Sequence, residues 1–101
     1  RYGVNMNINF DQPVIIKFSA TWCAPCKTLE PKLKKAVGDK VKLIDMDIEQ
    51  YPDEAQKFNV RSVPTTIAFV NGEQFDAFSG DKPESWIIDF VSKMINNIRN
   101  Q

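Results

Sequence analysis

The chain has no histidine and only two cysteines. Those two counts close off whole classes of chemistry. A structural zinc site takes four Cys or His ligands, more than this chain can supply alone. Nucleophiles activated by an imidazole, Ser–His or Cys–His, are excluded as well. Neither sign of charge is in excess: thirteen Lys and Arg stand against thirteen Asp and Glu. Nucleic acid is therefore not expected as a partner, because phosphate binding draws on a basic surplus. No apolar run approaches the ~20 residues that cross a bilayer, so no membrane span is expected. There is no charged-then-apolar leader at the start. The first residue is Arg1 rather than Met, as expected of a processed product or a part of a longer protein. With no leader, the cytoplasm is the default location; an organelle or a removed targeting segment is the alternative. No nucleotide-binding motif is present, and no bound cofactor or metal is expected.

What is present suits an ordinary globular protein. At 101 residues, 43% hydrophobic and 26% charged, residues 1–101 are expected to form a single domain that buries its core without staples. The charges are uneven along it. Lys27, Lys32, Lys34, Lys35, Lys40 and Lys42 fall in one stretch, and Asp45, Asp47, Glu49, Asp53 and Glu54 in the next. Solvated faces of two neighbouring elements account for that pattern, and a patch that selects a protein partner is the alternative.

Val14 to Phe18 is a short apolar, β-branched run and reads as a buried strand. A helix is expected from about Cys23, with Pro25 in its first turn. Its apolar face is Leu29, Leu33, Ala36 and Val37, with a kink at Pro31 and a stop at Gly38-Asp39. Val41 to Ile48 reads as a second strand and Asp53 to Phe58 as a short helix. Thr65 to Val70 and Gln74 to Ser79 form a hairpin around Asn71-Gly72. The last helix carries an apolar stripe from Trp86 to Ile98, with Asp81 and Glu84 as a capping box. The order implies an α/β fold, a mixed sheet with helices on both faces.

Cys23 and Cys26 stand three positions apart, where the first helical turn can hold them together. So small a loop removes little chain entropy, so the bond makes better sense as one that opens and closes than as a staple. A helix N-terminus favours an anion through its unpaired N–H groups and dipole. Cys23 is thus expected to be the exposed nucleophile, and Cys26, one turn further in, the less exposed resolving thiol. Trp22 offers a flat apolar shoulder, and Pro25 restrains the loop. Half of an intermolecular metal site, or two inert buried thiols, are the alternatives to redox chemistry.

Trp22-Cys23-Ala24-Pro25-Cys26-Lys27 resembles the Trp-Cys-Gly-Pro-Cys-Lys motif of the thioredoxin family, with Ala24 in place of Gly. Pro31 matches the family's kink proline, and Val63-Pro64-Thr65 is similar to the segment carrying its cis-proline. Asn71-Gly72-Glu73 and Gly80 fall where the family has its last turn and a groove glycine. The likeness runs from about Pro13 to the end. It implies a thioredoxin fold, and a groove around Trp22, Ala24, Pro25, Val63, Pro64, Ser79 and Gly80. There the backbone of Val63 is expected to pair with an extended substrate segment. It also implies disulfide-containing protein substrates, a separate reductase or small thiol as electron donor, and a monomer.

The chain departs from the family at three further points. Typical thioredoxins have an acidic residue beneath the inner cysteine and often a lysine on the next strand; the matching positions here are Lys17 and Asp45. An unpaired charge in an apolar strand is costly, so Lys17 and Asp45 are expected to pair beneath Cys26. Asp45, or a water it holds, is then expected to accept the Cys26 proton. Second, residues 1–12 are too few for the strand and helix that usually come first. Val4, Met6, Ile8 and Phe10 alternate as a strand would, with the helix reduced or absent. Third, Ser79 stands where an apolar residue is common, so the targets are expected to differ from the usual ones.

The reading the resemblance implies is a protein disulfide reductase. An oxidising or isomerising catalyst and a thioredoxin-fold binding module of a larger assembly are the alternatives.

Overall fold

The computed structural model describes residues 8–99. The elements run β1 (Val14–Ser19), α1 (Ala24–Val37), β2 (Lys42–Asp47), α2 (Pro52–Lys57), β3 (Thr65–Val70), β4 (Glu73–Ser79) and α3 (Glu84–Arg99). The strands form one sheet in the order β2-β1-β3-β4. β2 lies parallel to β1, whereas β3 is antiparallel to β1 and to β4. The sheet is therefore mixed, as the sequence order implies.

All six residues of β1 are buried, so it is the strand with helices over both faces. Ile15 points to the side of α1 and α3, where Leu29, Leu33, Val37, Ile87, Phe90 and Met94 close a core. Val14, Ile16 and Phe18 point to the other side, where Met46, Ile67 and Phe69 pack with Ala55 of α2. Burying each of the large aliphatic side chains stabilises the fold by about 1.5–3 kcal/mol. α1 runs unbroken through Pro31 and ends at Gly38, whose N–H donates to the Lys34 carbonyl at 2.9 Å. The β3–β4 turn uses Asn71 and Gly72 at φ 56° and 78°, the left-handed pair a tight hairpin demands. The β3–β4 register slips between Ala68 and Phe69.

Two expectations come out differently. Val4 and Met6 lie outside the described residues, while Ile8 and Phe10 belong to no strand. Phe10 is instead a core residue, with its ring 5.0 Å from that of Phe69, edge to face. Among the described residues no helix precedes β1. The Asp81–Glu84 capping box is replaced by other pairings. Asp81 accepts from Lys32 Nζ at 3.0 Å and from the Lys82 N–H at 2.8 Å, and Glu84 pairs with Lys35 at 3.1 Å. A lysine from α1, across the helix interface, outcompetes the local cap.

Candidate active site

β1 ends at Ser19 and the chain turns at once into α1. The Cys23 N–H donates to the Ala20 carbonyl at 3.2 Å, which closes the turn. Cys23 caps α1 with extended backbone angles, φ −94° and ψ 105°, and its sulfur accepts the Cys26 N–H at 3.1 Å. Thus one of the unpaired N–H groups of the helix start already points at Cys23 Sγ. Pro25 fits the first turn, because it has no N–H to leave unpaired.

Cys23 and Cys26 form a disulfide with their Cα atoms 5.3 Å apart. The expected contrast in exposure is not found in this oxidised form: the two residues are 3% and 2% exposed. Both turn inward and pack on Ala20, Ile48 and Val63. What separates them is position. Cys23 is the cap, and Cys26 lines a cavity of about 350 Å³ behind the bond.

Around the disulfide, Trp22 is 65% exposed, with its indole N–H on Glu49 Oε2 at 3.3 Å. Ala24 and Pro25 are also exposed. The Val63–Pro64 peptide bond is cis, and the Pro64 carbonyl accepts the Gly80 N–H at 2.8 Å. Ser79 is exposed on β4 and stands opposite Thr65 in the ladder. Val63 packs beside the cysteines, and Ser79 and Gly80 reach the site through Thr65 and Pro64.

Lys17 is 2% exposed and stands opposite Asp45 in the β1–β2 ladder. Its Nζ is 3.7 Å from Asp45 Oδ1, so the expected pair is formed, though loosely. The tighter partner is Glu30, whose Oε1 lies 2.9 Å away. Glu30 is the site residue that sequence reasoning missed. The signal was present: Glu30 is four residues after Cys26, on the same helical face as Leu29 and Leu33. Asp45 Oδ1 also accepts the Ser19 hydroxyl at 2.7 Å, and Glu30 Oε2 pairs with Lys34 at 2.9 Å. The hydrogen bond from Lys34, then the hydrogen bond and charge of Lys17, hold the Glu30 carboxyl below the usual range. The same bond to Glu30 raises Lys34. Among the described residues no cluster of three or more His, Cys, Asp or Glu could hold a metal.

A disulfide cradled by a helix start, on a mixed sheet and with a cavity behind its inner sulfur, defines a thiol–disulfide oxidoreductase. The family model described as Thioredoxin matches residues 4–93. The chain is 39% identical to the thioredoxin of Rickettsia typhi over 94 residues, covering 90% of each protein. It is 40% identical to the mitochondrial thioredoxin of Bos taurus over 91 residues, 87% of this chain and 55% of that protein. Among solved structures, Malassezia sympodialis thioredoxin superposes with a TM-score of 0.74 at 34% identity, covering 84% of this chain and 76% of the other. The chain belongs to the thioredoxin family and is a protein-disulfide reductase. Among the described residues no helix is long and apolar enough to cross a membrane.

Proposed function

We propose that Cys23 is the nucleophile and Cys26 the resolving thiol of a reductase cycle on protein disulfides. The position of Cys23 as the cap of α1, with the Cys26 N–H on its sulfur, carries this reading. A thiolate there gains that hydrogen bond and the positive end of the helix dipole. Cys23 attacks the target disulfide, and a mixed disulfide forms. Cys26 then attacks Cys23, and the target leaves reduced. Trp22, Ala24 and Pro25 form one wall of the substrate groove, with Val63, Pro64, Ser79 and Gly80 opposite. Asp45, at the mouth of the cavity behind Cys26 and partner to Lys17, accepts the proton that Cys26 sheds.

The oxidised pair is returned to dithiol by a separate reductase or a small thiol. Residues 1–101 act as one domain and as a monomer in a reducing compartment, the cytoplasm by default. An organelle is the second reading, favoured by the mitochondrial relative.

The test is the reduction potential of the Cys23–Cys26 pair, read by equilibrating the protein with a defined thiol–disulfide buffer and trapping free thiols. A value near the roughly −270 mV of a thioredoxin fits the reductase. A value of about −120 to −180 mV belongs to a disulfide donor or isomerase and overturns it. If both cysteines can be changed to Ser with biological function intact, the groove serves binding alone.

A further inference from the structure

The chain leaves β4 beside the disulfide and carries charge as it goes. Gly80 is tied to Pro64 by its N–H at 2.8 Å, and Val63, next to Pro64, packs on Cys23 and Cys26. Lys82 follows Gly80 by two residues, so their Cα atoms are within about 7 Å of each other. The backbone of Lys82 is occupied. Its N–H donates to Asp81 Oδ1 at 2.8 Å, and its carbonyl accepts from Lys32 Nζ at 2.8 Å. The side chain is what remains to act outward.

The carboxylates nearest to Lys82 in the chain are matched by lysines of α1. Asp81 pairs with Lys32 at 3.0 Å and Glu84 with Lys35 at 3.1 Å. Among the described residues no carboxylate pairs with Lys82 itself. Its Nζ lies over the Trp86 ring, 5.1 Å from the centroid. Trp86 is held in turn, edge to face with Phe78 at 4.8 Å and stacked on Phe90 at 5.8 Å. An aromatic face attracts an ammonium without cancelling its charge. Lys82 is therefore an unmatched cation that is already ordered, and a partner meets little further loss of freedom there. The other acidic groups stand elsewhere. Asp89 pairs with Lys93 at 3.2 Å, and Asp76 lies three residues before Ser79, about 10 Å back along β4. Glu49 is at the opposite rim, on the Trp22 indole.

We propose that Lys82, seated on Trp86, selects protein substrates that carry an acidic side chain a few residues from the reacting cysteine. This rests on the groove proposed above, because a segment lying along Val63 and Gly80 brings its side chains to Lys82. The target carboxylate accepts a hydrogen bond from Nζ on the side turned away from the indole. A basic side chain at the same place meets like charge and is disfavoured. Lys82 makes and breaks no bond in the exchange. It is a positioning residue for the target and acts through KM more than through kcat.

The test is the reduction of disulfide-bonded peptides that differ in one residue, Glu or Lys, about three positions from the reacting cysteine. One pair carries that residue before the cysteine and a second pair after it. In one of the pairs the Glu peptide is expected to show about fivefold higher kcat/KM at low salt, through a lower KM. The gap should shrink in about 1 M salt, where screening acts within a few ångströms. Lys82→Met is expected to bring that pair level, and Lys82→Glu to reverse the preference. Lys57→Met, an exposed site on α2, removes the same charge from the molecule and should keep the parent ratio. Three results overturn the proposal: no pair is distinguished by the parent chain, the preference survives Lys82→Met, or Lys57→Met lowers it as much as Lys82→Met does. Failure of the groove reading shows separately: Gly80→Ala would then leave KM for an uncharged peptide unchanged.

Discussion

Gly80 gives its backbone N–H to the carbonyl of Pro64 at 2.8 Å, which fastens the end of β4 to the loop that flanks the disulfide. Gly80 sits at φ +80°, and a Cβ there would meet nothing within 4 Å. The cost of a side chain is thus conformational and not steric. Gly80→Ala is expected to lose about 1 kcal/mol of stability, measured by urea unfolding. Because the strain falls at the proposed groove, KM for a disulfide substrate should rise more than kcat falls. A variant with full stability and an unchanged KM would remove Gly80 from the groove.

Glu30 has its carboxyl held below the ordinary value of 4.5, first by the Lys34 hydrogen bond and then by Lys17. A folded-state pKa below the unfolded one contributes stability above the unfolded value, and that contribution is lost as pH falls through the folded value. The carboxylate is partly solvated, so the effect is small. Glu30→Gln should therefore be slightly less stable than the parent near neutrality. The gap should close as pH falls below about 4.5. Urea midpoints along the acid limb would show it.

Asp45 is the group proposed to receive the Cys26 proton. Asp45→Asn should slow the release of a trapped mixed disulfide, with the largest loss below the Cys26 pKa, where proton removal limits the step. Stopped-flow release of a target peptide across pH gives the comparison. Equal rates at every pH would take Asp45 out of the mechanism.

Leu33 is fully buried between α1 and the sheet. Leu33→Ala should cost roughly 2–5 kcal/mol, seen as a lower urea midpoint with the same slope. The reduction potential should stay near the parent value, because Leu33 lies two turns below the cysteines. A large change in potential with little loss of stability would contradict the assignment of Leu33 to the core.

Most of the fold is legible in local pattern. The run Val14 to Phe18, the spacing of Leu29, Leu33 and Val37, and the Asn71-Gly72 turn each determine their element through neighbours a few residues away. The disulfide follows from the Cys23–Cys26 spacing at a helix start. What escapes is whatever depends on partners distant in sequence. Asp81 looks like a helix cap until Lys32, 49 residues away, takes its carboxylate. Lys17 faces two carboxylates, and the resemblance to the family points to the one on the next strand, Asp45, which the ladder places opposite it. The closer one, Glu30, is reached only when α1 lies across β1. Phe10 reads as part of an alternating strand, yet its ring is claimed by Phe69 and the core beneath.

The outer strand β4 has a consequence for the protein in crowded solution. An edge strand offers its unpaired N–H and C=O groups to any passing chain, and a straight, apolar one invites stacking into fibrils. Here the ladder slips between Ala68 and Phe69, and Glu73 and Asp76 place carboxylates along the rim. Asp76 also turns its own Oδ1 onto the Ala77 N–H at 2.8 Å, which occupies a donor from within. A foreign strand meets a bent, negatively charged and partly satisfied edge, so the protein should tolerate high concentration without aggregating through this side of the sheet.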